Sequence, residues 1–297
     1  MRRAGLALLA LSLLGPIGAC AARPSLATGY LAVAAGCSRW SAIQQVGPAP
    51  TLGLVAFDRC GNSWKRGALL RRGVSSIAAG GGRVAVVDAS GLQDHVRLVV
   101  GRRLLPVPGL PEGQPSYMPD LDRNGQLAVS TFDGKQFRLL VEDPSSSRST
   151  VRYRTDAELI SPQWLPSGDI VILLAPATGG RLAQLAVVDR AGRLHQVGLP
   201  QPVQGLTVLT SNRFALLDVS GPVPRTTIVD STGRPISVLA DVQVLARDGA
   251  GFLATTSSGI LRRYSDEGAL LVSYSGQQLP ALLQLSPGFV APVTGSG

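Results

Sequence analysis

The chain has 297 residues, of which 45% are hydrophobic and 16% are charged, so it has the composition of a globular protein and not of a disordered one. Its formal charge is +9, and nearly all of the positive charge is arginine, since Lys65 and Lys135 are the only lysines. No basic run is interleaved with aromatic residues as in proteins that bind single-stranded nucleic acid, so we do not expect nucleic-acid binding.

The first 20 residues have the order of a secretory signal. Arg2 and Arg3 precede the apolar run Ala4–Leu14, which is too short to span a bilayer, and small residues follow. The segment Ile17-Gly18-Ala19-Cys20 resembles a bacterial lipobox, in which an aliphatic and two small residues precede the cysteine that receives lipid. The resemblance implies a lipoprotein signal peptide over residues 1–19, acylation of Cys20 and a lipidated tether over residues 20–28. An ordinary signal peptide is the alternative.

Secretion changes how charge and cysteines are interpreted. Loss of residues 1–19 removes two arginines and no acidic residue, which lowers the formal charge from +9 to +7. Outside the cytoplasm such a charge favours anionic lipid or polymer. Cys37 and Cys60 remain as an even pair in an oxidising compartment, which predicts a disulfide, with two buried free thiols as the alternative. A Cys–Cys metal site would lack further ligands, because His95 and His195, the only histidines, are far away in sequence.

Beyond residue 50 the chain repeats one pattern, a turn with glycine or asparagine followed by an apolar strand. The strands begin at Arg83, Gln126, Asp169, Arg213, Phe252 and Phe289, at intervals of 43, 43, 44, 39 and 37 residues. Four antiparallel strands per repeat of about 40 residues predict an all-β fold, a β-propeller. A β-sandwich is the alternative, but it would not need such even spacing.

A longer motif occurs once. Residues 161–168 read Ser-Pro-Gln-Trp-Leu-Pro-Ser-Gly and precede an apolar strand, which resembles the blade signature of TolB-like propellers; residues 118–125 are a weaker copy. We take each recurring strand as the first of its blade, so the last one, Phe289–Val293, has no chain left to complete a blade. This predicts one domain over residues 29–297, with six four-stranded blades closed by N- and C-terminal strands. Seven blades would result if residues 29–46 formed part of another.

Asp120, Asp122 and Asn124 alternate as in the opening of a calcium loop, where oxygen ligands at this spacing wrap a hard cation. The rest of such a loop is missing, because the ninth position is Ala128 and the twelfth is Thr131. The segment also falls at the recurring turn between strands, where Asp, Asn and Gly are common turn formers. We therefore predict a structural turn, with a weak calcium site as the alternative.

Few other residues suggest chemistry. No Gly-x-Ser-x-Gly elbow or phosphate-binding loop is present, and we expect both histidines on strand surfaces. We expect the three tryptophans in the core and not as sugar platforms. The basic clusters, which we expect on solvated outer strands or loops, are Lys65-Arg66, Arg71-Arg72, Arg102-Arg103, Arg148 with Arg152 and Arg154, and Arg262-Arg263.

These observations favour a lipid-anchored, extracytoplasmic propeller without a cofactor, acting as a protein-binding scaffold or accessory subunit of an envelope or membrane complex and not as an enzyme. The alternative is a propeller hydrolase or lyase acting on envelope glycans or lactones. The two functions predict different surfaces. An enzyme would gather Asp, Glu or His side chains at the mouth of the central channel, whereas a scaffold would expose an apolar or arginine-rich face.

Overall fold

The computed structural model describes residues 37–47, 51–100, 103–111, 113–176, 183–199, 203–276 and 282–287. Every regular element within these ranges is a β-strand. The predicted signal peptide, Cys20, the predicted tether and the predicted strand Phe289–Val293 lie outside the described residues.

The strands form six sheets. Three strands come first: β1 (Cys37–Gln45), β2 (Leu52–Cys60) and β3 (Ser63–Arg72). Blade 1 follows with β4 (Val74–Gly80), β5 (Arg83–Asp88), β6 (His95–Val100) and β7 (Arg103–Pro106). Blade 2 has β8 (Ser116–Leu121), β9 (Leu127–Phe132), β10 (Phe137–Asp143) and β11 (Arg148–Thr155). Blade 3 has β12 (Glu158–Trp164), β13 (Ile170–Ala175), β14 (Gln184–Val188) and β15 (Leu194–Val197). Blade 4 has β16 (Gly205–Thr210), β17 (Arg213–Asp218), β18 (Arg225–Asp230) and β19 (Pro235–Ala240). Blade 5 has β20 (Gln243–Arg247), β21 (Gly251–Thr255), β22 (Leu261–Ser265) and β23 (Leu270–Ser273), and β24 (Ser275–Gly276) and β25 (Leu282–Pro287) end the described chain.

The two ends of the chain close the ring in blade 6. In blades 1–5 four strands pair antiparallel in chain order, and the first strands of successive blades are neighbours around the centre. In blade 6 the order is β25-β1-β2-β3, with β24 added in parallel to the edge of β3. The predicted six-bladed propeller with N- and C-terminal closure is confirmed. The strand that pairs with β1 is Leu282–Pro287, and Ala42 lies in β1 of this closing blade and not in a seventh blade.

The position predicted for the recurring strands within each blade is wrong by one strand. Apart from Phe289–Val293, they are the second strands β5, β9, β13, β17 and β21. A second strand is covered on both faces and paired along both edges, so it is almost continuously apolar. The first strands contain polar residues, and those of blades 2 and 3 also contain Pro119 and Pro162. Their sequences therefore lack the continuous apolar pattern by which the second strands were recognised.

Alternating strand direction divides the loops between two faces. We call the lower face the one that carries the first-to-second and third-to-fourth strand turns. The upper face carries the second-to-third strand loops and the links between blades. Cys37 begins β1 and Cys60 ends β2, so both lie at the lower face.

The predicted disulfide is present between these two cysteines. Cys37 and Cys60 are opposite each other in the β1–β2 register, with their Cα atoms 4.3 Å apart. In the chain-entropy account, a cross-link over this sequence separation stabilises a fold by about 3 kcal/mol. It also ties the first described strand to the lower face of the closing blade.

The inner edge of each blade is fastened by its neighbour. The first strand of a blade pairs on one side only, so its inner backbone groups need other partners. Gln163 of blade 3 donates to the carbonyl of Leu206 (2.6 Å) and accepts from the amide of Val208 (2.7 Å) in blade 4. In the same manner, Gln284 of β25 donates to the carbonyl of Ile77 in blade 1 (2.6 Å) and accepts from the amide of Ile77 (3.0 Å). A single amide side chain thus satisfies a donor and an acceptor of the next blade.

The polar turns noted in the sequence fasten the outer part of the ring. Asp189 and Asp230 each accept hydrogen bonds from backbone amides two and four residues later. The glycine that ends the turn has a positive φ and lies against the preceding blade: a Cβ at Gly233 would collide with the carbonyl oxygen of Gly198. Gly192 and Gly268 meet Arg152 and Ser237 in equivalent contacts. These turns therefore require glycine for both conformation and space.

We expect Gly233→Ala to destabilise the propeller more than Gly134→Ala. Both glycines have a positive φ, 85° and 91°, but a Cβ at Gly134 meets no atom within 4 Å. Gly134→Ala should cost about 1–2 kcal/mol for its backbone conformation, and Gly233→Ala about 1–3 kcal/mol more for the contact between blades. Urea unfolding measures both, and equal losses would show that the packing of this turn on blade 3 contributes nothing.

Candidate functional site

The residues of the weak calcium motif lie in two places, Asp120 in β8 and Asp122 with Asn124 in the turn that follows. The carboxylate of Asp120 accepts a hydrogen bond from the amide of Trp164 in blade 3 (2.7 Å), the role that Gln163 has one blade later. The carboxylate of Asp122 accepts from the amides of Asn124 and Gln126, at 2.8 and 2.7 Å, which forms the turn to β9. Both acidic side chains therefore have structural partners, as expected for a turn.

The pKa of Asp120 is well above the usual value for an aspartate. Burial between blades 2 and 3 raises the pKa of Asp120 to about 7, and the charge of Asp122 acts in the same direction. The hydrogen bonds from the amides of Trp164 and Leu121 oppose the shift. Asp120 is therefore partly protonated near neutral pH, although its role is to join two blades.

The tryptophans have the structural positions expected for them. Trp40, Trp64 and Trp164 are 4–8% exposed. Trp40 and Trp64 pack edge to face in blade 6, and Arg152 lies 5.1 Å above the ring of Trp164. They are blade-packing residues, as predicted.

The basic clusters are spread over several blades and many of their members have partners. The positions that lie on outermost strands are Lys65, Arg66, Arg71 and Arg72 of β3, Arg103 of β7, and Arg148, Arg152 and Arg154 of β11; Arg262 and Arg263 lie on β22. Arg71 is paired with Asp88 at 3.2 Å, and Arg263 and Arg59 share Asp248 at 3.0 and 3.2 Å. Arg71 and Arg263 are thus paired with acidic side chains, and Arg102 lies outside the described residues.

The upper mouth of the channel contains a group of residues that the sequence did not reveal. Tyr117 is the second residue of β8, Glu158 the first residue of β12, and Asp94 ends the loop before β6. Ser116 holds that loop in place, because its amide donates to the carbonyl of Asp94 (2.9 Å) and its hydroxyl accepts from the amide of Val96 (2.8 Å). Asp94, Tyr117 and Glu158, here called the mouth cluster, are all partly exposed.

The acidities within the mouth cluster are coupled. Burial raises the pKa of Tyr117 to about 12, helped by the negative charges of Asp94 and Glu158. Burial also raises the pKa of Glu158 and of Asp94, and for Asp94 the neighbouring His95 acts in the opposite direction. The nearest sequence signal was Tyr117 itself, which directly precedes the weaker copy of the blade motif. Nothing in the sequence placed Asp94 of another blade beside it.

Exposed aliphatic side chains are concentrated on the side wall of blades 4 and 5. Ile236 and Val238 of β19 are 42% and 55% exposed, and Leu270 and Leu271 of β23 are 54% and 49% exposed. The two strands belong to adjacent blades, and the turn at Gly268 lies against Ser237 of β19, so Ile236 and Val238 project from the other face of blade 4. Both are outermost strands whose outer edges have no partner strand within the described residues. We call these four side chains the apolar rim.

The fold resembles that of several solved propellers, whereas no protein-family model and no curated protein matches the sequence. A structure of TolB from Acinetobacter baumannii is similar with a TM-score of 0.56 and 14% identity, over 84% of this chain and 66% of that chain. A structure of the nidogen/laminin complex is similar with a TM-score of 0.57 and 14% identity, over 86% of this chain and 100% of that chain. An oligogalacturonate lyase in complex with manganese is similar with a TM-score of 0.51 and 11% identity, over 79% of this chain and 77% of that chain. The chain thus spans just under two thirds of that TolB, and these similarities establish a TolB-like β-propeller fold.

The part of the chain that the structure describes contains no helix long and apolar enough to cross a membrane.

We expect the free energy of unfolding of Asp120→Asn to increase relative to that of the native protein as pH rises. A carboxyl pKa raised from 3.8 to about 7 gives stability that is complete below pH 4 and is lost as pH rises through 7. A neutral amide can still accept from Trp164 without that loss. We expect the variant to gain on the order of 2–3 kcal/mol over the native protein between pH 5 and 8.5.

Asp143→Asn is the matched control for this measurement. Ser145 holds the pKa of Asp143 below its usual value, so its effect on the free energy of unfolding should be constant across the same pH range. Urea unfolding at both pH values decides the question. A difference for Asp120→Asn that does not change with pH would contradict the burial of its charge.

Proposed function

We propose that this protein is a lipid-anchored, extracytoplasmic propeller that binds a protein partner through the apolar rim and has no catalytic activity. The main support is the exposure of Ile236, Val238, Leu270 and Leu271 on the outermost strands of two adjacent blades. Single exposed aliphatic residues are common on protein surfaces, whereas the two pairs here lie beside the open edges of outermost strands in two adjacent blades.

The geometry of the rim favours an extended apolar segment as the group that the partner contributes. β19 and β23 each present an open backbone edge beside aliphatic side chains, which is the arrangement that accepts an added strand. Blade 6 already uses this mode, because Ser275 and Gly276 pair in parallel with Ser63 and Trp64 at the edge of β3. A partner strand on blade 4 or 5 would repeat that arrangement between two proteins.

The proposed location rests on the disulfide and on the N-terminal sequence. The Cys37–Cys60 bond is typical of proteins that fold in oxidising compartments. The lipobox-like segment before Cys20 supplies the anchor, and β1 begins at the lower face, so the tether would join the propeller there. The side wall and the upper face would then be accessible to a partner in the envelope.

We expect the mature protein to begin at Cys20 and to carry acyl chains on it. Two or three buried chains hold a protein on a bilayer almost irreversibly, at about 0.8 kcal/mol per CH₂ group. Mass spectrometry of the N-terminal peptide from membranes measures the modification, and Cys20→Ser should move the protein out of the membrane fraction. A native protein that starts at another residue without lipid would contradict the anchor.

We expect Val238→Glu combined with Leu270→Glu to abolish partner binding without unfolding the propeller. The native protein is cross-linked in membranes, its partner is identified by mass spectrometry, and the dissociation constant is then measured with both proteins purified. Val151→Glu is the control, because Val151 is 38% exposed on the outermost strand of blade 2, away from the rim. Unchanged affinity in the rim variant, or hydrolysis of an envelope glycan or lactone by the pure protein, would contradict the proposal.

A further inference from the structure

The two carboxylates of the mouth cluster have no arginine or lysine partner, unlike three other carboxylates of the upper face. Asp88 is paired with Arg71 and Asp218 with Arg225, and Asp133 also forms an ion pair with Arg138. Within the described ranges, Asp94 and Glu158 take part in no ion pair. Two half-buried carboxylates therefore lie near one aromatic ring without an arginine or lysine partner, and the only basic group that acts on Asp94 is the neighbouring His95.

Blades 1 and 3 bring the two acids to Tyr117 through fixed contacts. On the blade 1 side, Ser116 holds the Asp94 loop by the two hydrogen bonds described above. On the blade 3 side, the amide of Ser161 donates to the sulfur of Met118 (3.0 Å), which aligns β12 with β8 and places Glu158 at the same end of the channel as Tyr117. The cluster is therefore a product of three blades.

An unused polar group lies on the same face of blade 2. Ser130 is opposite Tyr117 in the β8–β9 register, so their side chains project from one face of the sheet. This face packs against blade 3, since Leu139, opposite Ser130 on the other side, belongs to the apolar cluster that contains Leu159. The hydroxyl of Ser130 is fully buried and has no hydrogen-bond partner. Ser130 is thus an unpaired buried polar group directly across the β8–β9 pair from Tyr117.

We propose that Asp94, Tyr117 and Glu158 form a recognition site for one arginine side chain of a protein partner. Carboxylates accept charge-assisted hydrogen bonds from a guanidinium, and the flat guanidinium also stacks on an aromatic ring. An ammonium group is a compact charge that would use only one of these features well, so the combination favours arginine over lysine. The site rests on the proposed protein-binding function and adds a second, polar contact to the apolar rim.

The test uses the detergent-solubilised full-length protein and two capped tripeptides, Gly-Arg-Gly and Gly-citrulline-Gly. Citrulline has nearly the shape of arginine but no charge. We expect calorimetry to detect the arginine peptide and not the citrulline peptide. The double variant Asp94→Asn, Glu158→Gln and the single variant Tyr117→Leu should each weaken arginine-peptide binding at least tenfold.

Asp156→Asn is the matched variant, because Asp156 is an exposed carboxylate on the link between blades 2 and 3 and its loss should leave peptide binding unchanged. Melting temperatures establish that the variants are folded, and Glu158→Gln alone replaces the double variant if that one unfolds. Equal binding of the two peptides, or unchanged binding in the mouth variants, would overturn the arginine site. The rim variant should bind the arginine peptide normally. Loss of partner binding in the rim variant alone therefore separates the two proposals.

Discussion

The inner edge of the first strand in each blade is the constraint on which this structure depends. A four-stranded sheet in a ring leaves that edge facing the centre without a partner strand, and unpaired backbone groups there are costly. Gln163, Gln284 and Asp120 meet this requirement by bonding to backbone groups of the next blade, at distances of 2.6 to 3.0 Å. Blades 1, 3 and 4 thus receive hydrogen bonds from a side chain of the preceding blade, and for blade 1 that side chain belongs to the closing strand β25.

The same arrangement separates structural from functional surface. On the lower face, tight turns closed by aspartates or serine pack their glycines on the preceding blade, and the disulfide joins the strands of the closing blade. The apolar rim and the mouth cluster lie elsewhere, on the side wall of blades 4 and 5 and at the upper mouth. Arginine, the most abundant charged residue, contributes less to binding surface than its number suggests, because Arg71, Arg83 and Arg263 pair with acidic side chains across strands or blades.

The predicted site residues fall into two groups, those whose hydrogen-bond partners are near in sequence and those whose partners are far away in sequence. The turn at Asp122 was visible in the sequence, because Asp122 bonds to amides only two and four residues away and turn chemistry acts over that distance. Asp120 was not recognised as a link between blades, because its partner Trp164 is 44 residues away. The mouth cluster was missed for the same reason: its members come from blades 1, 2 and 3, and no local pattern relates them.

The sequence alone determined the repeat, the all-β class, the number of blades and the Cys37–Cys60 pairing. These depend on periodicity and on residue types at fixed spacing, which sheet formation translates directly into structure. Only the tertiary structure decided which strand of each blade faces the channel, that Leu282–Pro287 closes the ring, and that Asp94, Tyr117 and Glu158 meet. The physical reason is that innermost strands form hydrogen bonds with neighbouring blades. Their polar residues and prolines are therefore stabilised by contacts that do not exist until the ring has formed.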